Sequence, residues 1–295
     1  VEKQLLLALG NEPGTSDTLR FVAAFLGPRP DLRLTLFFAA SGEAAISAAQ
    51  LAQEGFTVTQ HGIEHAQRER AHALLARSRE WLLEQGFAPE QVEAKLVTSH
   101  ADVTRDIIRE AQRGLYDAVV MGSRRASVWT EAIMTDSVSR RMLWQEVDFP
   151  IWICRRPLPD AGRHVLLCAD GSPQSLRMAD HIGFLLADAP GHTVTVLHVA
   201  TSDSEEETKN IRRIMEATRA ALLENGMARE RVREKVLSAR RISGAIEREL
   251  ETGHYAVVAV GRASGPPDAL QKLFPASLSG VLLRTLDNFS MWVCK

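Results

Sequence analysis

LLEQGFAPEQVEAKLV at residues 82–97 and LLENGMARERVREKVL at residues 222–237 are one pattern written twice, at an offset of 140 residues. The same offset joins IWICR at 151–155 to MWVCK at 291–295. VVMGSRR at 119–125 and VAVGRAS at 258–264 each follow a tyrosine, Tyr116 and Tyr255. Nearer the start, LLLALGNEP at 5–13 pairs with VLLCADGSP at 165–173, now at an offset of 160. Self-similarity over this length means a duplicated folding unit. The change in offset places about 20 extra residues in the first copy, between Ala39 and Leu82. PLPDAGR at 157–163 has linker chemistry, with two prolines and a glycine between apolar runs. The expected domains are therefore 1–157, with its extra residues after strand two, and 163–295.

Within each copy, short apolar runs alternate with helical patterns. In the second copy the expected strands are 165–169, 194–199, 232–237, 256–260 and 290–294. The expected helices are 172–188, 210–225, 242–251 and 277–286. Ser172 is a natural cap with Pro173 in the first helical position, and Gly226 ends the second helix. The first copy repeats the order, with strands near 5–9, 34–39, 92–97, 118–121 and 150–154. Strands alternating with helices predict α/β units with parallel sheets covered by helices on both faces. In such sheets a ligand sits beyond the carboxyl ends of the strands.

Composition narrows the function classes. The chain has 295 residues, 45% of them hydrophobic, which suits a soluble globular protein with a sizeable core. Basic and acidic residues number 35 and 37, so no nucleic-acid partner is expected. No run is long and apolar enough to predict a transmembrane segment, and the start lacks a signal-peptide pattern. A cytoplasmic location is the expectation. Three cysteines are not a disulfide framework. His61, His65 and His72 lie close in sequence but read as solvent-facing, and no metal ligand is assigned. No Walker A lysine loop, GxGxxG or GxSxG elbow is present.

The strand ends carry the chemistry. After strand one the second copy has Asp170, Gly171 and Ser172, whereas the first has Gly10, Asn11 and Glu12. A carboxylate there suits a ribose, a base edge or a metal, and equally an Asx cap on the next helix. After strand four stand Gly122, Ser123, Arg124 and Arg125 in one copy, and Gly261, Arg262, Ala263, Ser264 and Gly265 in the other. Glycine lets backbone amides approach an anion, and arginine adds charged bonds to phosphate. A plain loop exit with solvated arginines is the bland alternative. Ser137 and Ser277 open the last helix of each copy, where they serve as caps or anion ligands.

This constellation resembles the universal stress protein family in its tandem two-domain form. ADGSP at 169–173, VTVLHVA at 194–200, DAVVMGSRR at 117–125 and DSVSRRML at 136–143 followed by FPIWICR at 149–155 are similar to that family's segments, in the same order. The resemblance implies two five-stranded, doubly wound parallel domains with strand order 3-2-1-4-5, an adenine nucleotide alpha hydrolase-like fold. Some members bind ATP through Gly, two residues, Gly, nine residues, then Gly with Ser or Thr, while the strand-one Asp meets the adenosine. Both copies depart from that pattern. Arg125 and Asp136 replace the later glycines of the first, and Ser264 and Ala276 those of the second.

The second copy keeps Asp170 and is the better nucleotide candidate. Its implied site is Asp170, Gly171, Val199 at the end of strand two, Gly261, Arg262, Ser264, Gly265 and Ser277. The weaker first-copy set is Gly122, Ser123, Arg125 and Ser137. The implied cofactor is ATP or another adenine nucleotide, with Mg2+ if ATP binds. No catalytic residue is assigned, because no general base is evident. The leading expectation is a stress-response or regulatory protein acting through conformation and a protein partner, with weak nucleotide binding. The alternatives are an ATP-binding protein with slow hydrolysis, and a cytosolic regulatory module of a longer membrane transporter. Strand five commonly forms the dimer contact in the family. Its two copies here, FPIWICR and FSMWVCK, are expected to pair within the chain as a pseudo-dimer, bringing Cys154 and Cys294 into one region.

Overall fold

The computed structural model describes residues 1–10, 16–41, 60–99, 102–122, 138–155, 162–262 and 289–295. In chain order the elements of the first copy are β1 (Lys3–Ala8), α1 (Asp17–Phe25), β2 (Leu32–Ser41), α2 (Gln60–Glu84), β3 (Val92–Ser99), α3 (Val103–Gly114), β4 (Ala118–Gly122), α4 (Val138–Trp144) and β5 (Ile151–Cys154). The second copy has β6 (His164–Cys168), α5 (Pro173–Leu186), β7 (Thr193–Ala200), α6 (Glu205–Glu224), β8 (Val232–Ser238), α7 (Ile242–Thr252), β9 (Val257–Gly261) and β10 (Ser290–Cys294). Strand order is β3-β2-β1-β4-β5 in one and β8-β7-β6-β9-β10 in the other. Each is the expected 3-2-1-4-5 doubly wound parallel sheet. The β2–β3 connection runs from 42 to 91, longer than its counterpart from 201 to 231.

Chain contacts divide the molecule into two compact units. The first holds Val1–Ala23 and Gly27–Leu143, and the second holds Ala24–Leu26 and Trp144–Lys295. Within each, the central strands read as unbroken apolar runs because helices cover both faces. Leu5, Leu6 and Leu7 are fully buried in β1, as are Val165, Leu166 and Leu167 in β6. The edge strand β8 instead exposes Arg233, Glu234 and Lys235, charges that discourage pairing with another chain. None of the described helices is long and apolar enough to cross a membrane.

The repeated tyrosines have a structural cause. Tyr255 donates its hydroxyl to Glu249 Oε1 at 2.7 Å, and Lys235 Nζ pairs with the same carboxylate at 2.7–2.9 Å. In the first unit Tyr116 meets Glu110 at 3.3 Å and Lys95 meets it at 2.6 Å. Both glutamates are buried, so each carboxylate needs these donors. Each tyrosine ring folds back over a glycine. A Cβ on Gly114 or Gly253 would lie 2.2 or 2.0 Å from that ring. Thus a helix (α3 or α7), an edge strand and the start of the fourth strand are tied at one point in each copy.

β5 groups with the second unit because it pairs there antiparallel to β10. Ile153, Trp152 and Ile151 face Met291, Trp292 and Val293. The two tryptophans are fully buried and stack with centroids 3.9 Å apart and planes 7° from parallel. His181 of α5 packs edge-on against both rings and accepts a bond from Trp152 Nε1 at 3.2 Å. Burial pushes the His181 imidazole down to about 3, so the ring is neutral at pH 7. The expected neighbourhood of Cys154 and Cys294 is not found. The antiparallel register centred on the tryptophan pair sends the two thiols to opposite ends of the ladder, with Ser290 Oγ bonded to the backbone N–H after Cys154. Both cysteines are buried and neither is in a disulfide, and burial pushes the Cys294 thiol up to about 12.

Two outcomes follow from these contacts. Tyr255→Phe should destabilise the chain by about 1–3 kcal/mol, because it strips a donor from a buried carboxylate. Tyr116→Phe should cost less, since its bond is longer; equal losses in denaturant titrations would contradict this. Acid should also weaken the fold through His181. Its folded value lies below the ordinary 6.5, so the unfolded chain binds more protons below that pH. The stability held above it is then lost as pH falls toward about 3. A His181→Gln variant should show a shallower loss, and an identical slope would count against the assignment.

Candidate functional site

The parallel strands carry Asp170, Gly171, Val199, Gly261 and Arg262 to the carboxyl end of the second sheet, just beyond or at the ends of β6, β7 and β9. Ser264, Gly265 and Ser277 lie outside the described residues. So do Ser123, Arg125 and Ser137 of the first copy. Gly122 closes β4, where its carbonyl accepts from Ser139 Oγ at 2.9 Å.

Asp170 builds the turn into α5. Its Oδ1 accepts from the Ser172 amide at 2.9 Å and the Ser172 hydroxyl at 2.6 Å. Ser172 in turn caps α5, its Oγ accepting from the Ser175 amide at 3.1 Å, with Pro173 in the first turn. Burial works to raise the Asp170 pKa, but hydrogen bonds from Ser172 and Ser175 outweigh it and hold the carboxyl below its usual range. It is therefore an anion at neutral pH. It suits a hydroxyl donor or a cation and repels phosphate. The Asx-cap geometry anticipated from sequence is present, with Oδ1 as its acceptor.

Gly171 has a left-handed backbone at φ +79°, and a Cβ there would sit 2.7 Å from Ile214 Cγ1 of α6. Gly261 is constrained differently. A Cβ would lie 2.3 Å from the Ser175 backbone nitrogen and 2.6 Å from the Gln174 carbonyl carbon. Close packing of the first turn of α5 over β9 accounts for this glycine without a ligand. Val199 is buried in β7, opposite Leu237 of β8. Arg262 donates its backbone N–H to the Cys294 carbonyl at 2.8 Å, and its half-buried side chain remains a cation although burial lowers its pKa. Burial and the Arg262 charge together push neighbouring Lys295 down to about 8. Its ammonium bonds the Gln145 carbonyl.

Lys295 escaped the sequence reading, because it reaches the site only through the β9–β10 register, which linear spacing does not reveal. The ring of His198 in β7 supports the exit of β6: Nδ1 lies 2.7 Å from the Ala169 carbonyl. No group of three metal-ligating side chains occurs among the described residues. His65 and His72 are solvent-exposed, as expected.

Residues 162–278 match the universal stress protein family model. No curated protein matches the chain. Among solved structures, a universal stress protein from Archaeoglobus fulgidus DSM 4304 is similar at 19% identity and a TM-score of 0.70, covering 99% of this chain and 96% of that one. A functionally unknown protein from Pseudomonas aeruginosa PAO1 is similar at 14% identity and a TM-score of 0.57, covering 100% and 93%. At these identities the structures speak for the fold. The family model matches the second copy, and the solved structures share the fold over the whole length.

Proposed function

We propose that the chain is a tandem stress-response regulator that acts through its conformation and a protein partner, with a weak adenine-nucleotide site in the second copy. The observation that carries the nucleotide reading is Asp170, an ionised carboxylate at the end of β6 beside the capped start of α5. The first copy has Gly10 there, and a Cβ on Gly10 would meet nothing within 4 Å among the described residues. Packing therefore does not demand a glycine at that position, and the carboxylate is a feature of one copy alone. The family match falls on the copy that retains it.

Weak binding follows from the same geometry. Oδ1 of Asp170 is already engaged by Ser172, and α5 lies against the Gly261 backbone. A ribose hydroxyl would donate to Asp170, and the Arg262 side chain would face the phosphates. If ATP binds with Mg2+, Asp170 is the described carboxylate placed to share the ion. The metal would neutralise phosphate charge. The antiparallel match of Ile151–Ile153 with Met291–Val293 supports an intramolecular pseudo-dimer, each repeat's last strand covering the other's apolar edge.

Calorimetric titration of ATP and ADP tests this reading. Asp170→Ala should weaken binding by about 1.5–3 kcal/mol, the range for a hydrogen bond to a charged group. Gly261→Ala should weaken binding and also lower the melting temperature, since α5 must shift. Unchanged affinity in Asp170→Ala, or no heat with either nucleotide at millimolar concentration, would remove the nucleotide site.

A further inference from the structure

The buried ring of His198 is left half satisfied. His198 is 8% exposed in β7. Its Nδ1 lies 2.7 Å from the Ala169 carbonyl. A carbonyl only accepts, so Nδ1 must carry the ring proton. In the neutral ring Nε2 is then a bare acceptor. It is buried with no hydrogen-bond partner among the described residues. The nearest carboxylate makes matters worse: Glu207 Oε1 of α6 stands 3.8 Å from it. Two acceptors face each other across a gap slightly too long for a hydrogen bond.

We propose that His198 and Glu207 form a proton-gated latch, in which one proton taken from solvent at Nε2 joins the β7 imidazole to the first turn of α6. The closed latch links three elements. Nδ1–H holds the β6 exit at Ala169, one residue before Asp170. Nε2–H holds Glu207, whose backbone N–H already donates to the Ser204 cap at 3.1 Å. The imidazole thus ties the start of α6 to the loop that carries Asp170.

Among the described residues, the other charges on the elements around the ring are engaged elsewhere. From β8, Val236 is the residue paired with His198, and Glu234 two positions earlier is held by Arg219 of α6 at 2.7 Å. Lys235 points to the opposite face, where it meets Glu249 of α7. From β6, Asp170 is bonded to Ser172. In the α6 first turn, Glu205 pairs with Lys209. Glu207 is the carboxylate within ion-pair range of Nε2. The contact exists only with the added proton present, so it strengthens as pH falls and is lost as pH rises.

Hydrogen exchange on the full chain between pH 8 and pH 6 tests the latch, read as protection factors of amides 208–211. In the wild type, protection should rise on acidification by roughly tenfold, the scale of one partly buried charged hydrogen bond. Glu207→Ala should abolish the rise. Glu207→Gln offers a permanent N–H to the bare Nε2, so its protection should be high and independent of pH. Flat protection in the wild type, or an undiminished rise in Glu207→Ala, would overturn the proposal. Glu207 is a quarter exposed, so neither substitution threatens folding. A ring-nitrogen NMR titration of His198 adds an independent readout. It should show an Nδ1–H neutral tautomer, and an Nε2–H tautomer would also overturn the proposal.

Discussion

The second copy's site depends on how closely α5 can approach the end of β9. At Gly261 the backbone of Gln174 and Ser175 occupies the space that any side chain would need. This contact fixes the start of the helix. The start of the helix fixes Ser172 as its cap, and Ser172 holds Asp170 in place through two hydrogen bonds. Gly171, in its left-handed conformation under Ile214, is the only residue type that fits the turn between them. One packing constraint therefore sets the position, the charge state and the residual bonding capacity of the Asp170 carboxylate.

The opposite ends of the sheets are held by a second device, used twice. A buried glutamate on α3 or α7 gathers a lysine from the edge strand and a tyrosine from the start of the fourth strand. Low-dielectric burial makes such a carboxylate costly unless it is fully bonded. That cost explains why the tyrosine, the glycine beneath its ring and the lysine all recur at matching positions in both copies. The repeat visible in sequence is thus the trace of a polar strut, and it places rigidity at the end away from the candidate ligand site.

Much of the architecture was legible in the residues. The alternation of strands and helices followed from apolar periodicity and the Ser172–Pro173 helix start from cap chemistry, whereas the strand order came from the family resemblance, and the pairing of the two final strands from repetition together with that resemblance. Other features were hidden because they depend on distant partners. The start of α6 was expected at Asn210, but Ser204 caps it and three glutamates extend it back to Glu205, a favourable arrangement at a helix N-terminus. Gly261 read as an anion-approach glycine or a plain loop exit, and its close packing against the first turn of α5 depends on a partner distant in sequence. Nothing local in VTVLHVA signals that His198 faces Glu207, since that meeting depends on how α6 lies over β7. The thiols of Cys154 and Cys294 shared a strand position in sequence, but antiparallel register separates them.

The account's central claim is that the two copies share a fold but differ in ligand competence, with Asp170 marking the competent one. Residue-resolved NMR of the labelled full chain under ATP titration tests this most directly. The account predicts saturable amide shifts at Asp170, Gly171 and Gly261, with Gly10 and Gly122 unmoved. Shifts confined to Gly10 and Gly122, or equal in both copies, would contradict it.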